Sequence, residues 1–148
     1  MKKILAALLL LSVAGGAAAQ ELFDCATANG REVRVTREGD ALTYSYGRPG
    51  RPEITLRRRA DDIYAGGEGY FSGLHSFQWG FPNGAYLYVV WAQSLPGEKR
   101  AEVDGGVDVY KGEKRVGKVV CRRVRTLFDD PAAQPSEAAK LPAFVERY

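Results

Sequence analysis

Histidine occurs once in this 148-residue chain, at His75, and cysteine only twice, at Cys25 and Cys121. A zinc site draws three or four ligands from such residues, so no metal site is expected. No His-Glu-x-x-His pattern and no EF-hand spacing occurs. A Gly-x-Ser-x-Gly elbow is also missing, which excludes the usual α/β-hydrolase nucleophile. The glycine run at residues 66–69 lacks the Lys-Ser/Thr end of a phosphate loop and reads as a β connection. Catalytic, metal-binding and cofactor-binding residues are therefore all expected to be absent. Beyond residue 19 no apolar run is long enough to cross a bilayer.

What is present begins with an address. Met1-Lys2-Lys3 is basic, residues 4–13 are apolar and leucine-rich, and Gly15-Gly16-Ala17-Ala18-Ala19 is a run of small residues. This is the layout of a secretory signal peptide, with cleavage expected between Ala19 and Gln20 and export to the periplasm or beyond. Cleavage leaves 148 − 19 = 129 residues, one domain's worth of chain. It also removes two lysines, so the net charge falls from +3 to +3 − 2 = +1. Neither charge nor location points to nucleic acid as a partner. In an oxidising compartment Cys25 and Cys121 are expected to pair. Closing a loop of about 95 residues stabilises by roughly 4–5 kcal/mol in the chain-entropy treatment. Two alternatives compete with the disulfide. Acylation of Cys25 is disfavoured by the bulky or charged Leu22-Phe23-Asp24 before it, and a nucleophilic thiol lacks a histidine motif.

The mature sequence alternates with the period of half-buried strands. Val33 and Val35 mark one strand, Leu42, Tyr44 and Tyr46 a second, and Ile54 and Leu56 a third. Gly39-Asp40 and Gly47-Arg48-Pro49-Gly50 supply the turns. Ile63-Tyr64 predicts a short strand, and Phe77, Trp79 and Phe81 share one face of another. Pro82-Asn83-Gly84 predicts a hairpin leading into residues 85–92, which are apolar on both faces as in a covered central strand. Residues 93–106 read as the longest loop, followed by strands at Val107–Tyr110 and Arg115–Arg122 around a Lys111-Gly112-Glu113-Lys114 turn. The fold class is mainly β: a small antiparallel barrel or sandwich with one disulfide and a short C-terminal tail. The divisions are residues 1–19, 20–126 and 127–148. Residues 136–141 admit a helical turn, but the tail is expected to be loosely attached unless Phe144 and Tyr148 dock it.

Candidate partner-binding residues fall in four groups. Tyr86, Tyr88 and Trp91 crowd the hairpin, where they either fill the core or form a recognition patch. Glu98, Lys99 and Arg100 are charges in the long loop, a usual place for binding on a rigid scaffold. Arg57, Arg58 and Arg59 end one strand and Arg122-Arg123-Val124-Arg125 follow Cys121; both runs serve as edge protection or contact an anionic partner. Ser72 and His75 are polar groups near a turn without a catalytic arrangement.

Residues 44–54, with Cys25 before them and Phe81-Pro82-Asn83-Gly84 and Val109-Tyr110-Lys111 after, resemble a group of small exported bacterial proteins without assigned function. More weakly, the chain is similar to periplasmic inhibitors of C-type lysozyme, small disulfide-bonded β-barrels with a Ser-Gly-x-x-Tyr loop. Ser72-Gly73 matches the start of that motif, and Ser76 stands at the tyrosine position. That resemblance implies inhibition of lysozyme, and the stapled scaffold, the polar loop and the absence of catalytic constellations point to a non-enzymatic protein that binds such an envelope-attacking hydrolase through residues 93–106 and the aromatic hairpin. Two other readings remain: a cell-wall enzyme using Asp62, Glu68 or His75, and an envelope carrier or structural component.

Overall fold

A computed structural model describes residues 16, 18–67, 75–95, 102–127 and 134–148, with the backbone alone for His75, Leu95 and Glu102. One ten-stranded sheet curls into a half-barrel. Its strands are β1 (Gln20–Thr27), β2 (Glu32–Glu38), β3 (Ala41–Arg48), β4 (Arg51–Arg59), β5 (Tyr64–Gly66), β6 (His75–Asn83), β7 (Tyr86–Leu95), β8 (Glu102–Lys111), β9 (Lys114–Leu127) and β10 (Ala139–Lys140). The spatial order is β10-β5-β6-β7-β8-β9-β1-β2-β3-β4. Two antiparallel meanders, β1–β4 and β5–β9, thus meet at the β1–β9 ladder. The disulfide Cys25–Cys121 sits at that joint, with Cα atoms 5.8 Å apart. The expected antiparallel β architecture and staple are both present.

Aromatic packing between opposite walls holds the curl. Phe23 of β1 lies 6.2 Å from Trp79 of β6, and Tyr44 of β3 lies 5.7 Å from both Phe81 and Tyr88. The far edges of the sheet approach without a ladder. A 3-10 turn at Ala60–Asp62 leads from β4 to β5, and Arg58 Nε donates to the Pro82 carbonyl at 3.1 Å. Leu141 and Val145 form a second apolar layer outside the barrel with Leu87, Val89 and Tyr110. β7 is therefore covered on both faces, as its unbroken apolar sequence predicts.

Three expectations change. The sequence pattern gave no strand before residue 32, yet β1 is central. A register shift between Glu21 and Phe23 buries Leu22 and Phe23 together and breaks the period-2 signal. The predicted loop at 93–106 is mostly strand, since β7 and β8 pair out to Leu95 and Glu102. Gly105 and Gly106 lie inside β8 because their neighbours leave no room. A Cβ at Gly105 would stand 2.7 Å from the Phe23 ring, and one at Gly106 would stand 2.2 Å from the Val119 carbonyl oxygen. Residues 134–148 are not loosely attached. They form the two-residue β10, parallel to β5, and no helical turn at 136–141. Leu141 and Val145 are the buried anchors that hold this strap.

Candidate functional site

The sequence-predicted residues do not converge on one site. Arg57, Arg58 and Arg59 lie on edge strand β4, and each has an acceptor. Arg57 pairs with Glu38 at 3.0 Å, Arg58 reaches Pro82, and Arg59 pairs with Asp61 at 3.2 Å and Asp40 at 3.7 Å. A cleft of about 270 Å³ beside Arg59 carries charges of both signs, from Arg37, Asp40, Asp61 and Glu137. Tyr88 packs into the barrel, and Tyr86 is 38% exposed with Lys111 Nζ 5.6 Å from its ring centroid. Trp91 is buried under the strap. Ser72, Glu98, Lys99 and Arg100, the His75 side chain and the enzymatic candidate Glu68 lie outside the described residues. Ser76, at the tyrosine position of the inhibitor motif, is buried.

Where β1, β2 and β9 meet, charges neutralise one another. Arg125 grips the nearly buried Asp24 through two nitrogens, at 2.6 and 2.7 Å, and reaches Glu32 at 2.8 Å. Arg34 lies 3.5 Å from both of those acids. The hydrogen bonds to Asp24 raise the Arg125 guanidinium above its ordinary value, so this cation is locked in the fold.

The outer face of β7–β9 differs. Val119, Cys121, Val124 and Leu127 point from β9 into the core, which leaves the intervening residues facing out. Val116 is 51% exposed and Val120 55%, the most exposed large apolar side chains among the described residues. Arg122 and Arg123 stand beside Val120 with no carboxylate in ion-pair range among the described residues. Across this face the strap binds back. The Tyr148 ring stacks on Trp91 at 4.2 Å and 6°. Its hydroxyl donates to Asp108 at 2.6 Å, and Lys118 Nζ donates to that hydroxyl at 3.0 Å while lying over both rings. Burial, then the Asp108 hydrogen bond, push the Tyr148 phenol well above its usual range. Glu146 pairs with Arg115, its N–H donates to the Tyr110 hydroxyl at 3.0 Å, and its carbonyl accepts from Gln78 at 2.8 Å.

No family model, curated protein or solved structure matches the chain. Among the described residues no three His, Cys, Asp or Glu side chains converge as metal ligands, and no helix is long and apolar enough to cross a membrane. Sequence reasoning found the basic run at 122–125 and named Phe144 and Tyr148 as residues that could dock the tail, which they do on Tyr110 and Trp91, but missed Asp108, Lys118 and Glu146. A usable signal was the alternation Val116-Lys118-Val120-Arg122, apolar and basic on what had to be the solvent side of a strand.

Proposed function

We propose that this is a non-enzymatic binding protein of the periplasm or cell exterior, and that its contact surface is the outer face of β9. One observation carries the reading: the half-exposed Val120 stands beside Arg122 and Arg123, which have no ion-pair partner among the described residues, on a strand fixed by the disulfide. A rigid strand displays such a stripe at little entropic cost on binding. The partner that fits is an acidic protein surface with apolar contacts, such as that of an envelope-attacking hydrolase. The packed interior, with Phe23, Trp79 and Phe81 nearly or fully buried, supports contact through the exterior rather than carriage of a ligand inside.

The test compares the parent with an Arg122→Glu, Arg123→Glu variant, both immobilised, in capture from envelope and host extracts. A protein retained by the parent, eluted by salt and absent from the variant is the expected result. Equal retention on both refutes the assignment to β9. The inhibitor branch has its own test, the clearing of a peptidoglycan suspension by C-type lysozyme. An unchanged rate with excess protein removes that branch.

A further inference from the structure

The strap is bound to its own barrel as a peptide ligand is bound to a receptor. Val145 enters the apolar cluster of Leu87, Val89 and Tyr110. Both backbone groups of Glu146 are read, the N–H by Tyr110 and the carbonyl by the buried Gln78. Its carboxylate meets Arg115, and the Tyr148 ring stacks on Trp91, with Lys118 Nζ reaching both rings and the Tyr148 hydroxyl on the fully buried Asp108. Side chains at 145, 146 and 148 and the backbone at 146 are thus all recognised. The fit is incomplete, because Trp91 Nε1 and Asp108 Oδ1 are buried without hydrogen-bond partners among the described residues. From Glu146 to Tyr148 the strap advances along β9 from Arg115 to Lys118. Ahead on the same strand lie Val120, Arg122 and Arg123, which the strap's described contacts do not involve.

We propose that this outer-face slot is a recognition site for a peptide segment of the pattern apolar–acidic–x–Tyr. Residues 145–148 occupy it in cis, and a partner segment of the same chemistry displaces them. The idea rests on the outer face being the contact surface and names what that face reads. The acidic residue of the partner takes Arg115, its tyrosine takes Trp91, Lys118 and Asp108, and acidic residues beyond it reach Arg122 and Arg123. The strap is then an intramolecular competitor, and its high effective concentration keeps the site closed to weak ligands.

The probe is a fluorescein-labelled peptide with the sequence of residues 142–148, followed by anisotropy with the full chain. Glu146→Ala/Tyr148→Ala in the protein removes the competitor, and this variant is expected to bind the peptide at least tenfold more tightly than the parent. Replacing glutamate by glutamine or tyrosine by alanine in the peptide should cost tenfold or more, and Arg115→Glu in the opened protein should abolish binding. If the double variant has lost its near-ultraviolet circular dichroism, Tyr148→Phe replaces it; that variant keeps the ring stack, loses the Asp108 bond and is expected to bind severalfold more tightly than the parent. Equal affinity of parent and opened protein overturns the proposal, as does equal binding of a scrambled peptide. Competition by phosphatidylglycerol vesicles as effective as by unlabelled peptide also overturns it, since the face would then read charge alone. Extract capture that depends on Arg122 and Arg123, with no peptide binding to the opened protein, leaves the β9 reading standing and removes this one.

Discussion

Replacing Cys25 and Cys121 together by alanine tests how the two meanders are kept as one sheet. They are joined at a single ladder, β1 on β9, and the disulfide lies within it. In the folded state the ladder's backbone hydrogen bonds do not need the sulfurs. The main loss is therefore in the unfolded chain, where a closure over a sequence separation of 96 disappears. The loop relation, −2.1 − 1.5R ln n, gives roughly 4.7 kcal/mol at 25 °C for a loop of about this size. Domains of this length hold about 5–15 kcal/mol in all, so a third or more of the stability is at stake. With a urea slope of about 2 kcal/mol/M, the unfolding midpoint should fall by about 2.3 M. The slope should also rise, because a chain without the cross-link exposes more surface on unfolding. Equilibrium urea unfolding followed by tryptophan fluorescence measures both. A midpoint shift below about 0.5 M, or roughly 1 kcal/mol, would refute the claim that the staple acts by restricting the unfolded chain.

Leu141→Ala should destabilise by about 2–4 kcal/mol, because Leu141 fills a site closed by Leu87, Val89 and Tyr110; a loss under about 1 kcal/mol in the same assay would show that the strap is not docked. Gly106→Ala should cost about 3 kcal/mol or more, since its Cβ would stand 2.2 Å from the Val119 carbonyl oxygen and 2.9 Å from the Trp91 ring. Gly117→Ala, whose nearest neighbour would be 3.5 Å away, is the matched control and should cost under about 1 kcal/mol. Burial raises the Tyr44 and Tyr148 phenols above their ordinary value of 10.0, with Tyr88 and Tyr46 adding to the first and Asp108 to the second. Above that value the unfolded chain binds fewer protons than the folded one. The stability these phenols contribute is therefore full below pH 10.0 and declines as pH rises toward the folded values. Urea midpoints between pH 8 and pH 11.5 should trace this decline, and Tyr44→Phe/Tyr148→Phe should flatten it; an unchanged slope in that variant would refute the assignment.

Sequence pattern revealed the parts of the fold in which each residue obeys its own strand. β2 and β3 pair without a break and β4 follows with one register shift at Gly47, and Gly84 and Gly112 sit in two-residue turns as their hairpins require. The errors arose where a distant residue decides. Leu22 and Phe23 share one side only because a bulge realigns β1 between β2 and β9. Gly105-Gly106 carries the composition of a loop, yet Phe23, some eighty positions earlier, and Trp91 require both glycines in a strand. The charged run at 57–59 depends on distant residues in the same way. Each of its three arginines meets an acceptor supplied by a turn or a neighbouring strand, which the run itself does not encode.

The double coverage of β7 links these points to the candidate site. An apolar run such as residues 85–92 must be covered on both faces, and a single-layer sheet covers only one. The missing cover had to come from outside the meander, and among the described residues the strap supplies it, through Leu141 and Val145 against Leu87 and Val89. Once those two anchors are seated, Glu146 and Tyr148 are delivered to Arg115, Lys118 and Asp108 at contour positions that no local pattern encodes. The apolar outer face of β7 is therefore a stability requirement, as are Arg125 on the buried Asp24 and the strap contacts of Arg115 and Lys118. Neutral side chains at the positions left over would serve stability as well, so Val120, Arg122 and Arg123 are those where substitution should separate binding from folding.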